Sequence, residues 1–199
     1  MCPRGRTLSA HPGFPLPLVD NPYAAPVGAL HAPSDIKPDW YAVTPLKLVV
    51  LSMCTLNVYL LYWHYSQWSK LKERRGDDSM PWARALFSIF FVTRLFEEVR
   101  AAGGMRGASL AAGPLAAGFI VVQVLDRVAG RVDLGPLGLV GLIAPFLIVP
   151  VQNEINAQLR EADAAADLNG RFGAGNILAM CIGTPILILA FIGTFMPAE

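Results

Sequence analysis

Charge distribution restricts this chain more than any other feature. Residues 107–125, 134–153 and 172–198 contain no Asp, Glu, Lys or Arg, while residues 70–78 (KLKERRGDD) carry seven charges in nine positions. An α-helix rises about 1.5 Å per residue, so about 20 residues reach the ~30 Å of a bilayer's hydrocarbon core. Long uncharged runs beside a dense charged one are what a membrane imposes. Composition agrees: 54% of residues are hydrophobic and 16% charged, against about 25% charged in ordinary soluble domains.

A further uncharged run occupies residues 48–63. Trp40 and Tyr41 precede it, and Tyr62, Trp63, Tyr65 and Trp68 close it. Aromatic rings favour the headgroup level. Residues 41 and 63 stand 22 positions apart, which in a helix is about 33 Å. The two aromatic groups therefore read as the two belts of a first span. Residues 85–93 are apolar but too few to cross, and Arg84 and Arg94 bound them. Residues 82–100 are expected to form an interfacial or re-entrant amphipathic helix, with a tilted full span as the alternative. Arg94 can pair there with Glu97 or Glu98 at helical spacing.

The predicted fold is all-α, a polytopic membrane helical bundle of about four spans plus that amphipathic helix. The spans fall at 46–65, 107–125, 134–153 and 176–196. The second and third form an antiparallel hairpin, because few residues separate them. After Pro150 the chain turns polar in a helical pattern, and it is expected to run out into water and stop at Asn169-Gly170. Pro114, Pro145 and Pro150 are expected to kink their helices. Gly76 marks a turn, and Pro81 suits a first helical turn. Residues 1–38 hold eight prolines and read as a disordered tail ahead of a membrane domain at 39–199. The first residues lack the apolar core of a signal peptide, so insertion is assigned to the internal spans.

Lys and Arg positions bear on orientation. If residues 82–100 do not cross, the Lys70–Arg75 cluster is cytoplasmic, and both the tail and the C-terminus lie outside. If they cross, the tail moves inside.

Polar residues within the spans are few. Asn57, Gln123, Asn153 and Asn176 are the candidates for intramembrane contacts, as bridges between helices or as the lining of a path. Lys70, Lys72, Arg74 and Arg75 directly follow a span, as contacts to lipid headgroups do. His64 reads as an interfacial side chain, and Cys54 and Cys181 as buried, inert thiols. No metal-ligand spacing, P-loop, dinucleotide fingerprint or nucleophile elbow occurs. No catalytic residue, cofactor or metal is therefore expected. A net charge of +1 gives no general attraction to nucleic acid. The partners expected are membrane lipids, and another membrane protein or further copies of this chain.

Several stretches together carry a resemblance. Asn21-Pro-Tyr-Ala-Ala-Pro26 is similar to the opening of many small bacterial membrane proteins. Pro45-Leu-Lys-Leu48, Cys54-Thr-Leu-Asn-Val-Tyr59, Tyr62-Trp63 and Trp82-Ala-Arg-Ala-Leu-Phe87 resemble a group of proteobacterial membrane proteins similar to the DUF4234 family. Gln152-Asn-Glu-Ile-Asn156, Arg171-Phe172 and Asn176-Ile177 match its later part. The resemblance implies a multi-pass bacterial inner-membrane protein and carries no activity or site residue. The expected function is that of a small integral membrane scaffold, sensor or partner-binding protein without catalysis. The alternative is a small oligomeric transporter or channel.

Overall fold

The computed structural model describes residues 39–132 and 135–195; the predicted tail, residues 1–38, lies outside them. Regular structure among the described residues is entirely helical. The elements are α1 (Pro45–Cys54), α2 (Val58–Arg75), α3 (Pro81–Leu86), α4 (Ser88–Ala102), α5 (Gly104–Gly107), α6 (Ala112–Arg131), a 3-10 segment (Gly135–Ile143), α7 (Ala144–Ala162) and α8 (Ala174–Phe195). Three stretches, Ala112–Arg131, Leu137–Ala162 and Ala174–Thr194, are long and apolar enough to cross a membrane. The expectation of an all-helical bundle holds.

The first predicted span does not run straight. Tyr41 and Gln67 exchange two hydrogen bonds: Tyr41 N donates to Gln67 Oε1 at 3.1 Å, and Gln67 Nε2 donates to Tyr41 O at 3.0 Å. In one continuous helix those residues, 26 positions apart, would be separated by about 39 Å. Instead the chain reverses between α1 and α2. Leu56 (φ 50°) and Asn57 (φ 69°) both adopt left-handed backbone. Asparagine tolerates that region and leucine does not, so Leu56 carries strain of order 1 kcal/mol. The rings read as opposite belts are neighbours, with Tyr41 and Tyr62 centroids 5.7 Å apart. Trp40, Trp63 and Trp68 lie in the core. The prediction of a span at 46–65 is thus corrected to a helical hairpin that enters and leaves at one end of the bundle.

A second reversal follows. Gly76, at φ 63°, caps α2, and α3 starts at Pro81. The Arg84 guanidinium lies over the Trp68 ring at 4.6 Å. Leu86 and Ser88 reach the level of Asn57 and Leu60, sharing a cavity with them. The helix breaks at Phe87, and α4 returns, with Phe91 against Trp68 and Glu98 paired with Arg75. Residues 82–100 therefore form a broken helix that folds back on itself at Phe87. Arg94 meets Glu98 only at 4.0 Å, because Arg75 already holds that carboxylate.

The hairpin of α6 with the 3-10 segment and α7 also forms. Asp126 Oδ1 accepts from Gly141 N at 2.9 Å. At the other end, Leu110, Ala111 and Leu115 face Pro150 across a cleft. Two boundaries move. The α6 helix extends to Arg131 instead of ending at 125, because Asp126 finds a backbone partner across the hairpin. The α7 helix stops at Ala162, earlier than the predicted Asn169-Gly170. Of the prolines expected to kink these two helices, only Pro150 is interior; Pro145 sits in the first turn of α7 and Pro114 in that of α6. The polar part of α7 turns one face into the bundle: Gln152, Glu154, Asn156 and Gln158 are buried, while Asn153, Arg160 and Glu161 are exposed. The α8 helix lies on the outside, with 6% of its apolar stretch buried. Cys181 is exposed there, contrary to the expectation of a buried thiol.

Candidate functional site

Two polar assemblies occupy the bundle, and they differ in how fully they are satisfied. The first joins the segment before α1 to α2, α4 and α7. Trp63 Nε1 donates to Gln152 Oε1 at 2.6 Å, and Gln152 Nε2 to Asn156 Oδ1 at 2.9 Å. Asn156 Nδ2 donates to Val43 O at 2.9 Å. Trp40 Nε1 donates to Gln158 Oε1 at 2.9 Å, and Gln158 Nε2 to Val99 O at 2.8 Å. Each amide makes at least one of its hydrogen bonds to another element. Such a lattice fixes the relative positions of helices, and removing one member strands its neighbours.

The second assembly surrounds a cavity of about 340 Å³ below the tips of the α1–α2 and α3–α4 hairpins. Asn57, His64, Ser88, Phe119, Gln123 and Asp126 are among its lining residues. Asn57 Nδ2 donates to Gly141 O at 2.7 Å. His64 Nδ1 lies 2.8 Å from the Leu60 carbonyl. The His64 ring packs on Phe119, with centroids 5.4 Å apart, and is 1% exposed. The interfacial reading of His64 is therefore corrected: α2 turns back into the bundle and carries the ring with it. Asn57 Oδ1 and His64 Nε2 are buried without partners.

The four predicted intramembrane amides separate. Asn57 and Gln123 meet at this cavity. Asn153 is exposed, since α7 turns Gln152 and Asn156 inward instead, and it lines clefts beside Leu110 and beside Thr44. Asn176 lies elsewhere, beside Lys47. With its amide oriented to satisfy both neighbours, Asn176 accepts from Lys47 Nζ at 3.0 Å. Lys47 also donates to Asn169 Oδ1 at 2.9 Å and Arg171 O at 2.7 Å. That lysine is 3% exposed, so a buried cation at the start of α1 is tied to the loop before α8. Its position at the edge of an uncharged run gave no sign of this.

The predicted headgroup cluster is mostly engaged by protein. Lys70 pairs with Asp39 and Glu73, both at 3.1 Å, and these hydrogen bonds hold its pKa above the usual lysine value. Arg74 stacks 4.4 Å from the Trp40 ring, and Arg75 binds Glu98. Lys72 makes no ion pair among the described residues. The side chains of Lys70, Arg74 and Arg75 clamp the segment before α1, and α4, onto α2.

No cluster of metal-ligating side chains occurs among the described residues. Comparison with protein-family models, curated proteins and solved structures gives no match, so no relative supplies a site residue.

Proposed function

We propose that this chain is a non-catalytic integral membrane protein of the bacterial inner membrane that acts by binding, as a sensor or scaffold. The buried amide lattice carries the reading. Gln67, Gln152, Asn156 and Gln158 bond across elements and line no continuous polar path. A channel needs polar groups free to replace water around a solute; here those groups brace the helices. The resemblance to proteins similar to the DUF4234 family fits a membrane role and adds no activity.

Orientation follows from the two fold-backs. Asp39 lies beside Lys70, Arg106 binds Glu154 and Glu161, and Lys47 reaches Arg171 O. These basic residues gather at one end of the bundle, and Arg127 and Arg131 stand at the far end of α6. By the positive-inside rule the richer end is cytoplasmic. The segment leading into α1 then lies on the cytoplasmic side, and α8 leads outward.

A second reading has one observation in its favour. Broken helices that meet at a polar cavity are common in transporters, and the two hairpin tips do so here. Liposomes loaded with a small fluorescent solute separate the two. Leakage from liposomes holding the purified protein is expected to match that from empty ones. Release that rises with protein content would overturn the non-conducting reading.

A further inference from the structure

A cleft of about 360 Å³ runs between α2 and α3 on the outside of the bundle. Val58, Leu61 and Tyr65 of α2 and Trp82, Ala85 and Leu86 of α3 are among its lining residues, none of which is charged. The two helices run in opposite directions, since Arg84 stacks on Trp68 while Leu86 shares the neighbouring cavity with Asn57 and Leu60. Between Val58 and Tyr65 the trough is about 10 Å long, which fits within the ~15 Å half-thickness of a bilayer's hydrocarbon core.

The mouth nearer the end of α2 has a different chemistry. Tyr65 and Trp82 stand there, amphipathic rings of the kind that favour the headgroup level. Seven positions beyond Tyr65, Lys72 falls on the same face of α2, turned by about 20° and about 10 Å further along. Helical side chains lean towards the N-terminus, so the Lys72 ammonium reaches back towards the mouth. Its acidic neighbours are directed elsewhere: Glu73 pairs with Lys70, and Asp77 accepts from the Ser79 N–H. Lys72 is partly exposed and makes no ion pair among the described residues.

An uncharged trough that ends beneath an unpaired cation matches a hydrocarbon chain with an anionic head. A helix about 10 Å wide laid along the same length would need about twice the volume. We propose that this cleft holds one acyl chain of an anionic phospholipid, with the lipid phosphate on Lys72. The inference rests on the membrane reading above and goes beyond it by naming a lipid. Hydrocarbon gains little by leaving bulk lipid for the trough, so the selectivity comes from the cation, about fivefold for one basic residue near the surface.

Trp82 reports on the cleft. It is 61% exposed, whereas Trp40, Trp63 and Trp68 are at most 3% exposed. Brominated acyl chains quench an indole on contact. The full-length protein is reconstituted in bilayers of brominated phosphatidylglycerol with plain phosphatidylcholine, and then with the bromines exchanged. Phosphatidylglycerol is expected to be favoured at the indole about fivefold. Lys72→Gln should bring that ratio to about one, and Lys72→Arg should keep it. Arg160→Gln, an equal loss of charge at an exposed site on α7, should leave it unchanged. Glycerol phosphate, an anionic head without chains, should not relieve the quenching.

A wild-type ratio near one would overturn the proposal, since Trp82 would then meet only bulk lipid. Equal losses in Lys72→Gln and Arg160→Gln would also overturn it, because surface potential would account for both. Relief by glycerol phosphate would do the same, as would a preference that survives Trp82→Phe. The wild-type comparison needs no variant, so a misfolded mutant does not blunt the test. Quenching by neither lipid, in protein that floats with the bilayers, would show the cleft covered by protein and overturn the lipid site alone. Protein that does not float would overturn the membrane reading as well.

Discussion

Replacing Gln152 by leucine is expected to destabilise the protein by about 3 kcal/mol, because it strands two buried partners. The Trp63 indole N–H loses its acceptor at 2.6 Å, and Asn156 Oδ1 loses its donor at 2.9 Å. Polar contacts between helices in lipid average only about 0.6 kcal/mol, since groups in the unfolded membrane state find other partners. Gln152 exceeds that average because its neighbours are fully enclosed: Trp63 and Gln152 are both 0% exposed, and no water replaces the lost bond. Asn153→Leu is the matched control. One position along, it is exposed and makes none of the hydrogen bonds described above, so its effect should stay within about 0.5 kcal/mol. Thermal unfolding in detergent distinguishes the two. Equal midpoints for both variants would mean that the lattice contributes no stability.

The second large effect is expected at Gln67. Its side chain closes the first fold-back by pairing with both backbone groups of Tyr41. Gln67→Leu leaves that N–H unpaired, at about 1–3 kcal/mol, and leaves the C=O with only the longer 3.5 Å hydrogen bond from Gln152 Nε2. The loss should be local before it is global. The segment before α1 is then held by the clamp of Lys70 on Asp39 and Arg74 on Trp40 and by the hydrogen bonds of Trp40 with Gln158 and of Val43 with Asn156. Hydrogen exchange at residues 39–44 should quicken in this variant while exchange in α6 stays slow. Gln67 and Gln152 also approach each other at 3.5 Å, so the double variant should lose less than the sum of the single losses. Strict additivity would show that the two amides act separately.

Much of the outer architecture was legible in the sequence. Lack of charge alone located the three long apolar helices, because a lipid-facing surface tolerates little else. Gly76 and Pro81 marked the turn after α2 for plain conformational reasons. The first hairpin was hidden for equally physical reasons. Its reversal uses Leu56 and Asn57, with neither glycine nor proline, in the middle of an apolar run. Trp40, Tyr41, Tyr62 and Trp63 have the composition of an interfacial belt, yet an amphipathic ring can satisfy its polar edge on a buried glutamine as well as on a headgroup. Periodicity failed in α7 for a related cause. Gln152, Asn156 and Gln158 look like a wet face until Val43 O, Val99 O and the Trp40 indole arrive from distant parts of the chain. The cavity was half visible. Asn57 and Gln123 were candidates for their polarity, but His64 and Asp126 join them only because α2 folds back and α6 outruns its uncharged stretch.

The central claim is that α1 and α2 form a re-entrant hairpin and not one span. Spin labels at Asp39→Cys and Lys70→Cys, on a background with Cys2, Cys54 and Cys181 replaced by alanine, report on it directly. The sites are partners in a 3.1 Å ion pair at the surface, a contact whose loss costs at most about 1 kcal/mol. Pulsed electron paramagnetic resonance on the protein in lipid nanodiscs should give a separation little longer than the two label arms. A continuous helix across those 31 positions would put the labels about 46 Å apart. A distribution centred near that longer value would contradict the hairpin, and with it the orientation and the cavity that depend on it.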